Sequence, residues 1–248
     1  MSDLQGKRAL LTGGASGIGE AAARALAAVG ASVTVADLDG EGAARVAAEI
    51  RGTPWQVDLS KPEGLDELSL DVDVLVNNAG VQTVSPIEEF DPARWRFIVD
   101  LMLVAPFQLV RAALPGMYDR GWGRVINISS VHGLRASAYK SAYVSAKHGL
   151  EGLSKTIALE GGAKGVTSNC IEPSYVRTPL VEQQIADQAR IHGISEDRVV
   201  EEIMLTETAI KRLVEPAEVA DLVVWLAGDT AAMVNGASYT MDGGWSAK

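Results

Sequence analysis

Short apolar runs alternate along this chain with longer stretches of periodic apolar residues. The short runs have the length and apolar content of buried strands, and they lie at 7–12, 32–36, 54–57, 73–77, 124–129, 166–171 and 237–241. The longer stretches predict helices at 18–29, 40–50, 92–113, 142–161 and 216–227. Alternation of strand and helix predicts an α/β fold, with a doubly wound parallel sheet of seven strands and helices on both faces.

Two segments interrupt this alternation. Residues 59–72 are few for a helix, and Pro62 and Gly64 make a full-length helix there doubtful. Residues 174–213 carry amphipathic sequence outside the strand–helix pattern, which predicts a helical flap over a functional site. Neither segment has the composition of a linker between domains, so a single domain over residues 1–248 is predicted.

A glycine-rich segment follows the first predicted strand and leads into the first predicted helix. Within it, Gly17-x-Gly19-x-x-Ala22 fits the fingerprint of a dinucleotide-binding turn. Glycines there let the backbone turn tightly and approach a pyrophosphate, which the helix N-terminus then holds. A glycine pattern by itself is also typical of a flexible loop, but the strand–turn–helix context favours the nucleotide site.

The second predicted strand runs into Asp37, roughly 20 residues beyond the glycines, where such folds place an acidic residue. A carboxylate at that place receives the ribose 2′-hydroxyl and repels a 2′-phosphate, so the sequence predicts NAD rather than NADP. The alternative is that Asp37 caps the helix that begins near Gly40.

Tyr143 and Lys147 are four residues apart in a predicted helix and therefore lie on one face of it. A phenol loses its proton near pH 10, and a nearby ammonium lowers that pKa toward the range that acid–base catalysis needs. A serine hydroxyl upstream, at the end of a strand, can bond the same reacting oxygen. The alternative is an ordinary pair on the surface of an amphipathic helix.

Composition narrows the class of protein. The chain has 248 residues, a formal net charge of −10 and one cysteine, Cys170. The negative charge argues against nucleic-acid binding, and a single cysteine excludes an intrachain disulfide and a cysteine-rich metal site. We see neither a signal peptide nor a run of 18 or more apolar residues, which predicts a cytoplasmic protein without a membrane partner.

Five motifs occur in a fixed order: Thr12-Gly13-x-x-x-Gly17-x-Gly19, Asn77-Asn78-Ala79-Gly80, Ser130, Tyr143-x-x-x-Lys147 and Asp242-Gly243-Gly244. Together they resemble the short-chain dehydrogenase/reductase family, from Gly6 to the C-terminus. The resemblance implies a Rossmann-type domain, a nicotinamide cofactor and hydride exchange at a secondary alcohol or ketone without a metal. It also implies a homotetramer whose main dimer contact is made by helices 92–113 and 142–161.

The resemblance assigns roles to individual residues. The implied catalytic residues are Ser130, Tyr143 and Lys147. The implied cofactor-binding residues are Gly13, Ser16, Gly17, Ile18, Gly19, Asp37, Asp58, Leu59, Asn78, Ala79, Gly80, Tyr143, Lys147, Pro173, Val176 and Thr178. Asp58 has a second interpretation as a helix cap, and both roles can hold together.

On the substrate side, the chain resembles family members that oxidise (R)-3-hydroxybutyrate to acetoacetate. The residues implied to bind the substrate carboxylate are Gln82, His132, Lys140 and Gln184. Ser130 and Tyr143 would contact the reacting oxygen, while Tyr175 and Trp245 would wall the short aliphatic part. Taken singly, His132 could be a turn residue and the other three could be exposed polar side chains. Their occurrence as a set favours a pocket for a small organic acid.

One position departs from the family. Alignment of residues 100–107 puts Met102 where the family has an asparagine that kinks the helix and holds a water linking the lysine to solvent. A thioether is a poor hydrogen-bonding group. Three alternatives to a hydroxyacid dehydrogenase stay open: the same chemistry on another secondary alcohol, ketone or 3-oxoacyl substrate, an NAD-binding protein of low turnover, and a structural or interaction protein.

Overall fold

Seven parallel strands form one sheet in the order β3-β2-β1-β4-β5-β6-β7. The strands are β1 (Arg8–Thr12), β2 (Ser32–Asp37), β3 (Thr53–Gln56), β4 (Val74–Asn77), β5 (Gly123–Ile128), β6 (Val166–Pro173) and β7 (Ser238–Met241). The order reverses next to β1, because the chain builds one half of the sheet outward from β1 to β3 and then returns to add β4 on its other side. The predicted α/β fold with a seven-stranded parallel sheet is confirmed.

Eight α-helices accompany the sheet in the part of the chain that the structure describes. They are α1 (Gly17–Ala28), α2 (Gly40–Ile50), α3 (Pro92–Val99), α4 (Ala105–Arg120), α5 (Ser141–Gly161), α6 (Pro179–His192), α7 (Glu196–Val199) and α8 (Pro216–Ala227). Helices α1, α2 and α8 pack on one face of the sheet, and α4 and α5 pack on the other. The doubly wound arrangement follows.

The computed structural model describes residues 3–247. Within α6 the backbone is described throughout, but six side chains lie outside the described set: Leu180, Gln183, Gln184, Asp187, Gln188 and Ile191.

Burial explains which runs became strands. Every residue of β5 and β6 is buried, because these strands lie inside the sheet and are covered on both faces. Strand β3 is an edge strand, and most of its residues are exposed. The predicted strands are confirmed within two residues at either end.

One predicted helix was too short. The prediction 92–113 corresponds to α3, a π-helical turn at Asp100–Val104 and α4, which together continue to Arg120. Pro115 lacks a backbone N–H and costs one hydrogen bond, but buried Ala113 and Met117 on either side of it keep the helix packed. The helix ends where Gly121 adopts a left-handed conformation with φ of 64°.

The two irregular segments behave as the sequence predicts. Residues 59–72 form only a 3₁₀ turn at Pro62–Leu65 instead of a full helix. The segment after β6 is helical, with α6, α7 and a π-helical turn at Val200–Met204. An apolar cluster that includes Ile185 and Leu213 holds this flap together.

The continuous helical stretch Pro92–Arg120 is long and apolar enough to cross a membrane by length and composition, with a window of mean hydropathy 1.8. The stretch is not an uninterrupted run of 18 apolar residues, because Asp100, Gln108 and Arg111 fall inside it, so the sequence prediction on that point holds. Of that window, 44% is buried inside the molecule, and core helices of soluble proteins pass the same test. A cytoplasmic location stays a prediction.

Candidate active site

A cavity of about 770 Å³ opens at the carboxyl ends of the central strands. That volume falls within the roughly 300–1,000 Å³ of small-molecule and cofactor sites, and in open α/β sheets ligands bind at this edge, where the strand order reverses. With the exception of Gly19, every predicted site residue whose side chain is described lines the cavity. The predicted residues, spread over the chain, are thus brought together.

The glycine loop between β1 and α1 is close-packed against the loop that follows β4. A Cβ added to Gly13, whose φ is +67°, would lie 2.9 Å from the Ala79 Cα atom. A Cβ on Gly19 would lie 2.0 Å from the Gly13 carbonyl oxygen. Side chains at either position would therefore push the loop apart. Gly19 serves this packing from behind the loop and does not line the cavity.

Asn78 and Thr12 fasten the two loops together. The Asn78 amide nitrogen donates to the carbonyl oxygens of Thr12 and Gly13 at 2.9 and 3.0 Å. The Thr12 hydroxyl accepts the backbone N–H groups of Asn78 and Ala79. Thr12 was part of the sequence motif but not among the predicted site residues; its role is to position the floor of the cavity.

Asp37 is held with its carboxylate at the cavity edge. One oxygen accepts the Ala15 N–H at 2.9 Å and the other accepts the Asp39 N–H at 3.0 Å. Asp39 is the residue that caps α2, through the Gly42 N–H. The alternative interpretation of Asp37 as that cap is therefore wrong.

Asp58 closes a turn and lines the same cavity. Its carboxylate accepts the Ser60 hydroxyl at 2.6 Å and the Ser60 N–H at 3.1 Å, and it pairs with Lys61. The hydrogen bond from the Ser60 hydroxyl holds the pKa of Asp58 below its ordinary value. Asp58 therefore closes a turn and lines the cavity, but the interpretation as a helix cap is wrong, because Lys61 is the N-cap of the 3₁₀ turn that follows.

The flap begins against the glycine loop. Thr178 caps α6 by accepting the Val181 N–H at 3.4 Å. Its methyl group would lie 3.0 Å from a Cβ placed on Gly17, so the two segments touch. Pro173 and Val176, which precede Thr178, line the cavity between them.

Ser130, Tyr143 and Lys147 all line the cavity. Ser130 follows β5, and its hydroxyl accepts the His132 N–H at 3.2 Å. The Lys147 Nζ lies 5.7 Å from the centre of the Tyr143 ring and donates to the Ile128 carbonyl oxygen at 2.6 Å. The i, i+4 spacing on α5 therefore places both side chains as predicted, behind the end of β5.

The protonation of this trio differs from the prediction in one respect. Burial raises the pKa of the Tyr143 phenol, and a hydrogen bond with Ser130 offsets this only in part. The expectation that Lys147 brings the pKa of Tyr143 below its ordinary value is wrong for this structure. Burial also lowers the pKa of Lys147 to about 8, so the ammonium is charged at neutral pH and loses its charge above pH 8.

His132 and Lys140 form a polar pair beside the trio. The Lys140 Nζ lies 3.2 Å from the His132 Nε2. The His132 ring makes edge contacts with Tyr143 at 6.1 Å and Trp245 at 6.0 Å between ring centres. Burial and the Lys140 charge lower the pKa of His132 to about 4, so His132 is neutral at physiological pH and accepts from Lys140.

The remaining predicted substrate residues fall into two groups. Gln82 and Tyr175 line the cavity and are half-buried. Tyr175 packs against the apolar cluster of the flap, and burial raises its pKa. Gln184 lies outside the described side chains, so its predicted contact with the substrate stays a prediction.

Met102 is buried at the back of the cavity, with 1% of its surface exposed. It packs in an apolar cluster with Ile98, Ala142 and Ala146. Its methyl group also approaches the loop after β4, because a Cβ on Gly80 would lie 3.3 Å from it. The π-helical turn at Asp100–Val104 forms with methionine in the place of the family's asparagine.

Several residues that line the cavity lie outside the sequence motifs. Leu38, Val57 and Ser60 lie one or two positions from predicted residues, so extending each motif along its loop would have found them. Met204 and Thr208 reach the cavity from the flap, where sequence spacing gives no register.

The chemistry of the cavity suits a nicotinamide dinucleotide. At one end the glycine loop exposes backbone beside the N-terminus of α1, which favours phosphate oxygens. Asp37 stands at the neighbouring strand end, about where a ribose hydroxyl needs an acceptor. The Lys140–His132 pair and the neighbouring Tyr143 phenol line the same cavity and supply polar groups for a reacting oxygen.

Comparison with known proteins supports the assignment of this cavity to a dehydrogenase. The family model described as short chain dehydrogenase matches residues 7–189. A "D-beta-hydroxybutyrate dehydrogenase" of Rhizobium meliloti (strain 1021) is 46% identical over 259 residues, covering 98% of this chain and 99% of the relative. A protein of the same name from Cupriavidus necator is 42% identical over 257 residues, covering 99% and 100%.

A solved structure gives the same result at the level of the fold. The putative 2-deoxy-D-gluconate 3-dehydrogenase of Agrobacterium tumefaciens, with bound NADP, superposes with a TM-score of 0.86 at 32% identity, covering 99% of this chain and 98% of that one. The cofactor of this chain is a nicotinamide dinucleotide. The chain therefore belongs to the short-chain dehydrogenase family.

Proposed function

We propose that this protein oxidises (R)-3-hydroxybutyrate to acetoacetate with NAD. The observation that carries the proposal is the Lys140–His132 pair, which stands beside Tyr143 in the cavity that also holds the glycine loop. A cation next to a phenol fits a substrate that carries a carboxylate a short distance from a secondary alcohol. The names of the relatives at 46% and 42% identity support the same substrate.

In the proposed reaction, Tyr143 exchanges the proton of the reacting oxygen. As phenolate, it takes the proton of the substrate hydroxyl, and in the reverse direction the neutral phenol returns it to the ketone oxygen. Ser130 donates to the same oxygen and orients it. Lys147, whose Nζ lies 5.7 Å from the centre of the Tyr143 ring, would favour the phenolate as a neighbouring positive charge. Bound NAD supplies the acceptor for the hydride that leaves C3.

Lys140 binds the substrate carboxylate in this proposal. Among the described residues that line the cavity, the lysines are Lys140 and Lys147, and Lys147 is engaged with the Ile128 carbonyl. Neutral His132 holds the Lys140 ammonium from behind and adds no charge. Trp245 and Tyr175 leave space beside the pair for a short aliphatic chain.

We propose NAD rather than NADP for an electrostatic reason. Two backbone N–H groups fix the Asp37 carboxylate at the cavity edge, where it would accept a ribose hydroxyl and repel a phosphate. Arg45 is the nearby cation on α2, donating to the Ala15 carbonyl, but Glu20 and Glu49 already pair with it. The positive charge that a 2′-phosphate requires is thus neutralised.

A homotetramer is proposed as the assembly. Helices α4 and α5 keep large apolar side chains on their outer surface, including Phe107 at 48% and Leu159 at 85% exposure. Covering these side chains in a contact between copies would remove apolar surface from water. Light scattering on the eluting protein measures the mass directly, and a single 26-kDa species would contradict the assembly.

A steady-state assay of NADH formation tests the proposed function. The panel should contain both enantiomers of 3-hydroxybutyrate, longer 3-hydroxy acids, 3-hydroxybutyrate methyl ester and cyclohexanol, each with NAD and NADP. We expect the highest kcat/KM for the R acid with NAD. Faster turnover of the uncharged ester than of the acid would contradict the assignment of a carboxylate-binding pocket. No turnover of any alcohol would favour the interpretation as an NAD-binding protein of low turnover.

A further inference from the structure

A layer of polar side chains lies buried between helix α5 and strand β6, behind Lys147. On β6 the alternate residues Ser168, Cys170 and Glu172 share one face. Ser168 on that face meets Ser154 of α5 at 2.8 Å. Such a layer is unusual in the middle of an α/β core, because polar groups there must find partners inside the protein.

Two carboxyl groups meet at the end of this layer. Glu172 is fully buried and Glu151, from α5, is 4% exposed. Glu151 accepts the Ser238 hydroxyl at 2.7 Å. Among residues 3–247 with described side chains, no donor meets hydrogen-bond geometry at either oxygen of Glu172 or at the second oxygen of Glu151, although the Ser238 hydroxyl lies close to Glu172 and the Cys170 thiol lies close to Glu151. The two side chains are hydrogen-bonding neighbours, so a proton held by one supplies the donor that both lack.

Protonation of the pair follows from burial. Burial, followed by the contact with Glu151, raises the pKa of Glu172 to about 8. At neutral pH Glu172 therefore keeps its proton, which it can donate to the neighbouring Glu151 side chain. The groups that face Glu172 are Glu151 and Lys155 from α5 and Ser238 from β7. Of these, Lys155 is exposed and therefore a weak, solvent-screened partner.

The negative charge of the pair acts on Lys147. Glu151 lies one helical turn beyond Lys147 on the same face of α5, and the two interact electrostatically. Cys170 also faces the Lys147 ammonium, but burial raises the pKa of its thiol, so it stays neutral. Glu151 is consequently the counter-charge of Lys147 on the protein side, and Glu172 acts on the lysine through Glu151. Neither glutamate appears among the groups that shift the Tyr143 pKa.

We propose that Glu151 and Glu172 form a proton-sharing pair whose single negative charge keeps Lys147 charged during turnover, so that both are positioning residues of the active site. The inference rests on the proposed function of Lys147 and on no particular substrate. It assigns an electrostatic task to a buried acid pair that touches neither substrate nor cofactor in the cavity.

The test compares the wild type with Glu172→Gln, Glu151→Gln, the double variant and Glu160→Gln. Glutamine keeps the shape of the side chain and removes the charge. Glu160 lies on the same helix but is exposed, so its variant controls for the loss of a carboxylate from α5. The measurements are kcat at saturating NAD and alcohol between pH 6 and 10.5, and the melting temperature over the same range. The alcohol is whichever one the wild type oxidises fastest.

We expect the alkaline limb of kcat, where Lys147 loses its charge, to move to lower pH by at least one unit in the double variant. Each single variant should move it less, because the remaining carboxyl group can still carry the charge, and Glu160→Gln should follow the wild type. An unmoved limb in the double variant, or a rate loss that is equal at every pH, would overturn the proposal. If the double variant does not melt cooperatively, it is not folded and the single variant Glu151→Gln replaces it. An alkaline limb of kcat at the wild-type pH in Glu151→Gln would then overturn the proposal.

The melting temperature gives a readout that needs no turnover. Glu172 binds its proton more tightly in the folded chain, so the folded state loses stability as pH rises from its ordinary pKa toward 8. Between pH 6 and pH 8 we expect the wild type to lose several degrees more of melting temperature than Glu172→Gln. Equal slopes would overturn proton sharing. Failure of 3-hydroxybutyrate as substrate would affect neither readout, which separates this inference from the choice of substrate.

Discussion

Replacement of Lys140 by methionine tests the substrate pocket at its one available cation. Methionine keeps most of the length of the lysine stem and removes the ammonium that lies 3.2 Å from the His132 Nε2. Since Lys147 is bonded to the Ile128 carbonyl and His132 is neutral above pH 5, no other positive charge among the described cavity residues can take the carboxylate.

The size of the effect follows from the loss of one charge-assisted hydrogen bond to a half-buried anion. Such a loss costs about 2–4 kcal/mol, which corresponds to a factor of about 30 to 900 in binding. We expect the KM for 3-hydroxybutyrate to rise by a factor in this range, with a smaller change in kcat. The KM for the methyl ester should stay within about threefold of the wild-type value, because the ester has no charge to lose.

Burial lowers the pKa of Lys140, so the wild type should lose affinity for the hydroxyacid as pH rises through that lowered value. The variant should show no such dependence. Lys164→Met, on the 3₁₀ turn after α5 and outside the cavity lining, removes the same charge and serves as the control. An unchanged KM for 3-hydroxybutyrate in Lys140→Met would refute the assignment of the carboxylate to this lysine.

Three further predictions concern other parts of the cavity. Asp37→Ala should lower the ratio of kcat/KM with NAD to kcat/KM with NADP by at least tenfold, because it removes the fixed carboxylate. Equal kcat/KM values for NAD and NADP in the wild type would contradict this role of Asp37. Met102→Asn should lower the free energy of unfolding in urea by about 1–3 kcal/mol, because it puts an amide into the apolar cluster around Ile98; a rise in kcat without loss of stability would show instead that the amide is needed. Since the pKa of Tyr143 is raised, alcohol oxidation should accelerate from pH 6 toward pH 8, below the pH at which Lys147 loses its charge, and ketone reduction should slow over the same range. Parallel pH profiles in both directions would contradict the proton-exchange role of Tyr143.

The sequence predicted the sheet and the cofactor end of the cavity well, because both depend on local patterns. Buried strands are short apolar runs, and the turn after β1 needs glycine for a reason that the structure makes explicit at Gly13 and Gly19. The length of α4 was not predictable from the same patterns. The predicted end at residue 113 was too early, because the packing of Ala113 and Met117 carries the helix past Pro115.

Properties that depend on the fold as a whole were out of reach of sequence patterns. The i, i+4 spacing placed Lys147 next to Tyr143, but the direction of the Tyr143 pKa shift depends on burial by elements distant in the chain. The pairing of Glu151 with Glu172 likewise needs α5 to lie across β6. Tyr139 adopts a left-handed conformation with φ of 67° immediately before Lys140, and nothing in its residue type predicts this.

The π-helical turn at Asp100–Val104 separates two roles that the family's asparagine combines. The turn widens the helix through the hydrogen bond from the Ala105 N–H to the Asp100 carbonyl, which involves backbone alone. Methionine at position 102 therefore preserves the shape of the helix behind the cavity, and only the hydrogen-bonding capacity of the side chain is lost. If proton movement from Lys147 required that capacity, the protein with Met102 would depend more strongly on the buried Glu151–Glu172 pair to keep Lys147 charged. The test measures the alkaline limb of kcat with and without the changes Glu151→Gln and Glu172→Gln, once in the Met102 protein and once in Met102→Asn. If removing the carboxyl pair shifts the limb less in Met102→Asn, an amide at position 102 and the carboxyl pair can each support Lys147 in place of the other.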